Sequence, residues 1–111
     1  MFEVEGARLL NSAKVPYEYE PKDKHVPYTI NAEWVPDFVL NGRIYVELKG
    51  KFDAHDKRKL VAVRRCNPTL DLRIVFYTAT KPNVRWAEKH GWKWAAKTIP
   101  EAWIKEGKRK V

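Results

Sequence analysis

The chain has 111 residues and 44% apolar side chains, which is enough for one compact domain with a modest core and excludes a disordered chain. A formal net charge of +8, from 22 Lys+Arg against 14 Asp+Glu, favours a polyanionic partner such as nucleic acid over small neutral ligands, although a merely basic protein has the same balance. Cys66 is the one cysteine, which excludes internal disulfides and Cys-based zinc sites. It is expected as a reduced, partly buried thiol in a helix, in a reducing cytosol. No apolar run approaches a membrane span and nothing resembles a signal peptide, so a membrane partner is not expected.

In chain order, residues 2–13 predict a short helix, with Phe2, Gly6, Leu9, Leu10 and Ala13 on one side; Gly6 weakens it. Residues 15–21 alternate as a strand, with Val15, Tyr17 and Tyr19 opposite Glu18 and Glu20. Residues 26–30 predict a second strand, at an edge because of Pro27, and 31–34 a short connection. Two strands around Asn41-Gly42 follow. Residues 52–68 carry a helix capped by Asp53, with Asp56 favourable to its dipole and Pro68 at its end. Residues 71–79 read as a strong strand, 83–91 as a helix stopping at Gly91, 92–95 as a short strand and 99–107 as a last helix. The order predicts an α/β fold: a small mixed β-sheet flanked by helices, in a single domain over 1–111.

The stretch VPDFVLNGRIYVELKG (35–50) sets polar residues into the most sheet-like part of the chain. If Phe38, Leu40, Ile44, Val46 and Leu48 share the core face, a two-residue loop breaks the phase. An odd loop, 40–42 with Gly42 in the left-handed position, restores it. Asp37, Glu47 and Lys49 then share the other face, which this reading leaves free for chemistry. Two carboxylates suit Mg²⁺, with Mn²⁺ as substitute, and the backbone carbonyl of Leu48 adds an oxygen donor. Lys49 suits orientation of an attacking water or stabilisation of a charged transition state. A surface ion-pair cluster is the bland alternative.

Pro36-Asp37, nine residues, then Glu47-Leu48-Lys49 matches the degenerate PD-(D/E)XK nuclease signature. Taken with PYEYEP (16–21), VPYTI (26–30), PDFVLNG (36–42), VELKG (46–50), DKRKL (56–60), NPTLDLRIVF (67–76), EKHGWKWA (88–95) and IPEAWIKE (99–106), the sequence resembles the phage endonuclease I family of Holliday-junction resolvases over nearly its whole length. The resemblance implies a restriction-endonuclease-like nuclease fold and metal-dependent nicking of branched DNA, leaving a 5′-phosphate and a 3′-hydroxyl. It implies a further catalytic and metal-binding residue on the first helix, Glu3, with Glu5 as competitor. It also implies a homodimer in which residues 1–30 are exchanged and 36–111 form the catalytic portion, with 29–35 as the connection. A dimer without exchange stays open. Family members usually carry a basic extension before the first helix, whereas this chain starts almost at Glu3. The cytoplasm of a phage-infected bacterial host is the implied setting.

Lys51, His55, Lys57, Arg58, Lys59, Arg64 and Arg65 are candidate phosphate contacts, which position DNA without reading its bases. A solvated basic helix face is the alternative. His25 shows no ligand spacing with His55 and His90, and His90 suits a helix C-terminus. Trp86, Trp92, Trp94 and Trp103 are expected in the core, and Trp34 is the tryptophan placed to meet DNA. Two further function classes remain open: an inactive module that holds branched DNA, and a nuclease of the same fold with another DNA target.

Overall fold

A computed structural model describes residues 2–13, 15–20, 24, 26–29 and 32–108; the side chains of 2–5, 28, 29 and 32 lie outside that description. The elements are α1 (Phe2–Ala13), β1 (Tyr17–Tyr19), β2 (Val26–Thr29), β3 (Ala32–Trp34), β4 (Phe38–Leu40), β5 (Ile44–Lys49), α2 (Ala54–Cys66), β6 (Asp71–Phe76), α3 (Lys81–Lys89), β7 (Lys93–Ala96) and α4 (Glu101–Lys108). A five-stranded sheet runs β1-β4-β5-β6-β7. The first two pairings are antiparallel and the last two parallel, as the expected mixed α/β sheet requires.

Each parallel connection needs a crossover, and α2 and α3 supply them. Both pack on the same sheet face, where Leu60, Val63 and Ala87 meet Leu72, Ile74 and Phe76. On the opposite face Leu10 of α1 and Trp103 and Ile104 of α4 bury against Phe38, Leu40, Val46 and Val75. Gly6 belongs to this contact, because a Cβ there would stand 3.1 Å from the Phe38 ring. The residue that weakens the helix locally is therefore the one that lets α1 lie close to the sheet.

The hairpin turn keeps the expected odd length but lies one residue later. Leu40 pairs with Ile44, so the loop is 41–43 rather than 40–42. Asn41 and Gly42 both take positive φ, 50° and 71°, and the Arg43 N–H donates to the Leu40 carbonyl at 3.1 Å. Asparagine tolerates the left-handed region, so the turn begins at Asn41.

Other expectations are corrected. Residues 32–34 are not a connection but β3, paired with β2 in a separate two-stranded ribbon. That ribbon buries Val26 and Trp34 against the α2 and α3 side of the core. Trp34 is therefore not placed to meet DNA: its ring packs 5.9 Å from Trp92 and 6.4 Å from Tyr45. Trp94, by contrast, is exposed on the outer strand rather than in the core. Cys66 ends α2 and is exposed, not partly buried. His25 lies outside the described residues.

One charged residue went unremarked in the sequence and holds the sheet to α4. Arg73, on β6, is 1% exposed. Its Nε and Nη2 donate to the two Asp71 oxygens at 2.8 Å, and its Nη1 and Nη2 donate to Glu106 at 3.2 and 2.7 Å. The guanidinium also lies 5.3 Å from the Trp103 ring centre. Burial works against this charge, but the two carboxylates outweigh it and hold Arg73 above its ordinary pKa. Removing one partner of such a network strands the others. Arg73→Ala is expected to destabilise the fold by about 3–5 kcal/mol in chemical denaturation, whereas Glu101→Ala, which breaks the exposed pair with Lys105, changes it by less than about 0.5 kcal/mol.

Candidate active site

The antiparallel register places Phe38 opposite Val46, so the next residues outward, Asp37 and Glu47, share a face at the end of the pairing. Here the β4–β5 ladder runs out and the Asp37 side chain takes its place: Oδ2 accepts the Leu48 N–H at 2.7 Å. The Lys49 carbonyl, one residue on, accepts from the Tyr77 N–H at 2.9 Å and so points toward β6. Alternation along the strand turns the Leu48 N–H and carbonyl the other way, toward Asp37. Asp37 and Glu47 are neighbours, and the Leu48 carbonyl, on the Asp37 side of β5, is the backbone oxygen that could join them as a donor.

The face is not left free, as the sequence suggested, because α2, α3 and the β2–β3 ribbon cover it. The cluster sits at the end of the strands under that layer, and Glu47 is only 7% exposed. Burial, with the Asp37 carboxylate beside it, pushes the Glu47 pKa up to about 8, against the smaller opposing pull of Lys49. Lys49 Nζ lies 3.4 Å from Glu47 Oε2 and 3.2 Å from Asp56 Oδ1. Burial would lower the Lys49 pKa, but Glu47 and Asp56 outweigh it and raise it, so the ammonium stays charged.

This donor set fits a hard divalent cation. Glu47 is buried beside a second carboxylate, and burial first and Asp37 second raise its pKa, so a bound cation would relieve both. No group of three or more His, Cys, Asp or Glu side chains able to hold a metal occurs among the described residues. Glu3 lies in α1, but its side chain is outside the description, so its approach to the pair is not seen.

The basic candidates divide by position along α2. Lys51 and His55 are exposed beside the N-terminus of the helix, just after the strand that carries Glu47 and Lys49. Arg58 is exposed, Lys57 and Lys59 are half-buried, and Lys57 Nζ stands 5.6 Å from the Phe52 ring centre. Arg64 and Arg65 lie in the last turn, roughly 12 Å along the axis from Asp56, where they complement the helix dipole. Arg64 is also engaged structurally, donating from Nη1 to the Leu70 carbonyl at 3.1 Å. Lys51, His55 and Arg58 therefore lie at the end of α2 that follows β5, and Arg64 and Arg65 at the other end.

Asp56 is the site neighbour that sequence reading placed only as a helix-dipole residue. Its N–H donates to Asp53 Oδ1 at 2.8 Å, and its Oδ2 accepts from the Asp53 N–H at 3.4 Å, forming a capping box. The Asp-x-x-Asp spacing at 53–56 was a visible signal of the box, but nothing local showed that its free oxygen meets Lys49.

A mixed sheet that seats two carboxylates and a lysine at the end of an antiparallel hairpin is the arrangement of a small α/β nuclease. The family model for phage endonuclease I matches residues 2–111. Endonuclease I of Escherichia phage T7 is 38% identical over 116 residues, covering 95% of this chain and 76% of that protein. Endodeoxyribonuclease 1 of Enterobacteria phage T3 is 34% identical, with 95% and 75% covered. The chain belongs to the phage endonuclease I family.

The Glu47 shift sets a pH dependence. With its folded pKa raised from 4.5 to about 8, the folded state holds a proton that the unfolded chain has lost between those values. Stability is then full below about pH 4.5 and declines toward pH 8, at up to roughly 1.4 kcal/mol per pH unit. Chelator-treated protein is expected to melt at progressively lower temperature from pH 5 to 8, and Glu47→Gln to flatten that decline.

Proposed function

We propose that this chain is a divalent-metal-dependent endodeoxyribonuclease that resolves four-way and other branched DNA by paired nicks. The observation that carries the proposal is the buried Glu47 carboxylate with Asp37 and Lys49 beside it at the strand ends. Family membership supports nuclease chemistry, and both named relatives are endonucleases.

Asp37, Glu47 and the Leu48 carbonyl would hold Mg²⁺, or Mn²⁺ in its place, and Glu3 is the further carboxylate proposed to join them. The cation, when bound, supplies a Lewis acid that makes water a stronger nucleophile near neutral pH and withdraws charge from a phosphoryl oxygen. Asp37 is fixed for this work by the Leu48 N–H, and Glu47 by its pairing with Ile74 of β6. Lys49, charged and tethered, lies where it can orient the attacking water or offset charge growing on the phosphoryl oxygens. In-line attack with departure of the 3′ oxygen leaves a 5′-phosphate and a 3′-hydroxyl.

Lys51, His55, Lys57, Arg58 and Lys59 are proposed to grip the phosphates flanking the cut, with Arg64 and Arg65 at longer range. Contacts of this kind carry no base specificity, which suits recognition of branch geometry and deformability. Resolution needs two opposed nicks, and a twofold homodimer matches the symmetry of the junction. In a non-exchanged dimer β1 stays on β4 of its own chain; in an exchanged one the same register forms between chains. The proposed place of action is the cytoplasm of a phage-infected bacterial host, and no helix among the described residues is long and apolar enough to cross a membrane.

The test is a nicking assay on a labelled four-way junction and a matched linear duplex, at fixed low salt because phosphate contacts weaken steeply with salt. Paired nicks near the branch are expected with Mg²⁺ and none with chelator, and Lys49→Ala is expected to slow them about 100- to 1,000-fold. Equal cutting of linear duplex would point to another DNA target. Binding without cutting would point to an inactive branch-binding module.

A further inference from the structure

The three strands β5, β6 and β7 run parallel, so their carboxyl ends lie side by side at one end of the sheet. Lys49 pairs with Phe76 and Phe76 with Ala96 in the last row of the ladder. The residues just beyond that row continue it. The Tyr77 N–H donates to the Lys49 carbonyl at 2.9 Å, and the Lys97 N–H donates to the Phe76 carbonyl at 2.7 Å. Adjacent strands stand about 4.8 Å apart, so Tyr77 and Lys97 lie roughly 5 and 10 Å across the sheet from the strand that carries Glu47 and Lys49. Tyr77 is 59% exposed, more than any other large apolar or aromatic residue among the described residues. Lys97 is also exposed, and its backbone is held at φ 70°, where few residues other than glycine sit. Its own N–H bond to Phe76, and that of Thr98 to the Ala96 carbonyl at 2.8 Å, fix it there.

We propose that Tyr77 is a stacking platform for a base at the branch point and that Lys97 holds a phosphate beside it, so that the DNA track runs along the strand ends as well as along α2. A lone exposed aromatic is ordinary on a protein surface. This one is set apart by its place, because the carboxyl ends of parallel strands are the ligand side of an open α/β sheet, and Glu47 and Lys49 lie there. The physical reason is discrimination. Phosphate contacts of the α2 kind are available on branched and linear DNA alike. A protein that prefers a branch needs a group that meets something a linear duplex hides. Within a duplex both faces of each base pair are covered by neighbours; where arms diverge, the end pair of an arm can present a face to a ring. Stacking on that face is tolerant of sequence, since every base has a π surface. The reach agrees. A DNA strand advances about 3.4 Å per nucleotide, so Tyr77 meets DNA roughly one to two nucleotides from the phosphate at Lys49, and Lys97 about three. The bond from the Tyr77 backbone to the site strand holds that offset fixed.

The inference deepens the branched-DNA reading above and rests on it, and its test separates the two. Gel-shift affinity is measured, in chelator so that no DNA is cut, for a four-way junction and a matched linear duplex across a salt series. The same junction carrying a fluorescent purine analogue beside the branch reports stacking by its emission. The proteins are the wild type, Tyr77→Ala, Tyr77→Phe and Lys97→Gln, each verified as folded by its melting curve. Tyr77→Ala is expected to weaken junction binding about 5- to 100-fold, to leave duplex binding within about 2-fold, and to abolish the emission change that the wild type causes at the branch. Tyr77→Phe keeps the ring and should stay within about 3-fold of the wild type on the junction. Lys97→Gln should weaken binding to the junction and lower the slope of log affinity against log salt by about one, whereas Tyr77→Ala leaves the slope unchanged. Junction binding by Tyr77→Ala equal to that of the wild type would overturn the proposal, as would an equal loss on duplex, a loss in Tyr77→Phe as large as in Tyr77→Ala, or a salt slope unchanged in Lys97→Gln. A wild type that binds the junction no better than the duplex refutes the branched-DNA reading itself.

Discussion

Parity along one hairpin decides where every reactive group in this protein lies. Because the turn at 41–43 has three residues, Leu40 faces Ile44 and Phe38 faces Val46, and the apolar side chains of both strands enter one core. The same parity puts Asp37 next to Glu47 and aims Lys49 to their side. A turn shorter by one residue would send one strand's core side chains outward and separate the carboxylates. The positive φ at Asn41 and Gly42 is the local feature on which that outcome rests.

The site is assembled where regular pairing stops. Asp37 stands in for the missing ladder partner of Leu48, so a carboxylate does the work of a backbone carbonyl. The arrangement costs stability when Glu47 is ionised, because burial first and the neighbouring Asp37 second disfavour its charge. The rest of the domain offsets it. The offset comes from two cores, one on each sheet face, and from Arg73, which ties β6 to α4 through Asp71 and Glu106.

Helix α2 serves three ends of this design at once. It makes the crossover that allows β6 to run parallel to β5. It buries Leu60 and Val63 over the site-bearing face, while its first turn carries Asp56 to Lys49. Its basic side chains are spread along its length, so that Lys57, Arg58 and Lys59 follow its first turn while Arg64 and Arg65 lie in its last. The sequence reading took them together as phosphate contacts, with Arg64 and Arg65 one to two turns later. The rise of the helix separates them.

The sequence by itself determined the mixed α/β class, the order of helices and main strands, the α2 cap at Asp53, and the odd loop that unites Asp37, Glu47 and Lys49. These follow from local rules: periodicity, cap chemistry, and the twofold alternation of a strand whose core face is apolar. The quoted motifs also carried the family resemblance. Tertiary structure alone decided the rest. Three residues, 32–34, carry too little periodicity to announce a strand, and β3 exists because Trp34 buries beneath α2 and α3. The helices that cover the polar face come from later in the chain, so neither the burial of Glu47 nor its shifted pKa was visible at positions 44–49. Arg73 went unremarked in the sequence because its partner Glu106 comes from α4, 33 positions away. The Lys49–Asp56 contact needed the turn between β5 and α2, which Phe52 seats on the core and Asp53 caps onto the helix.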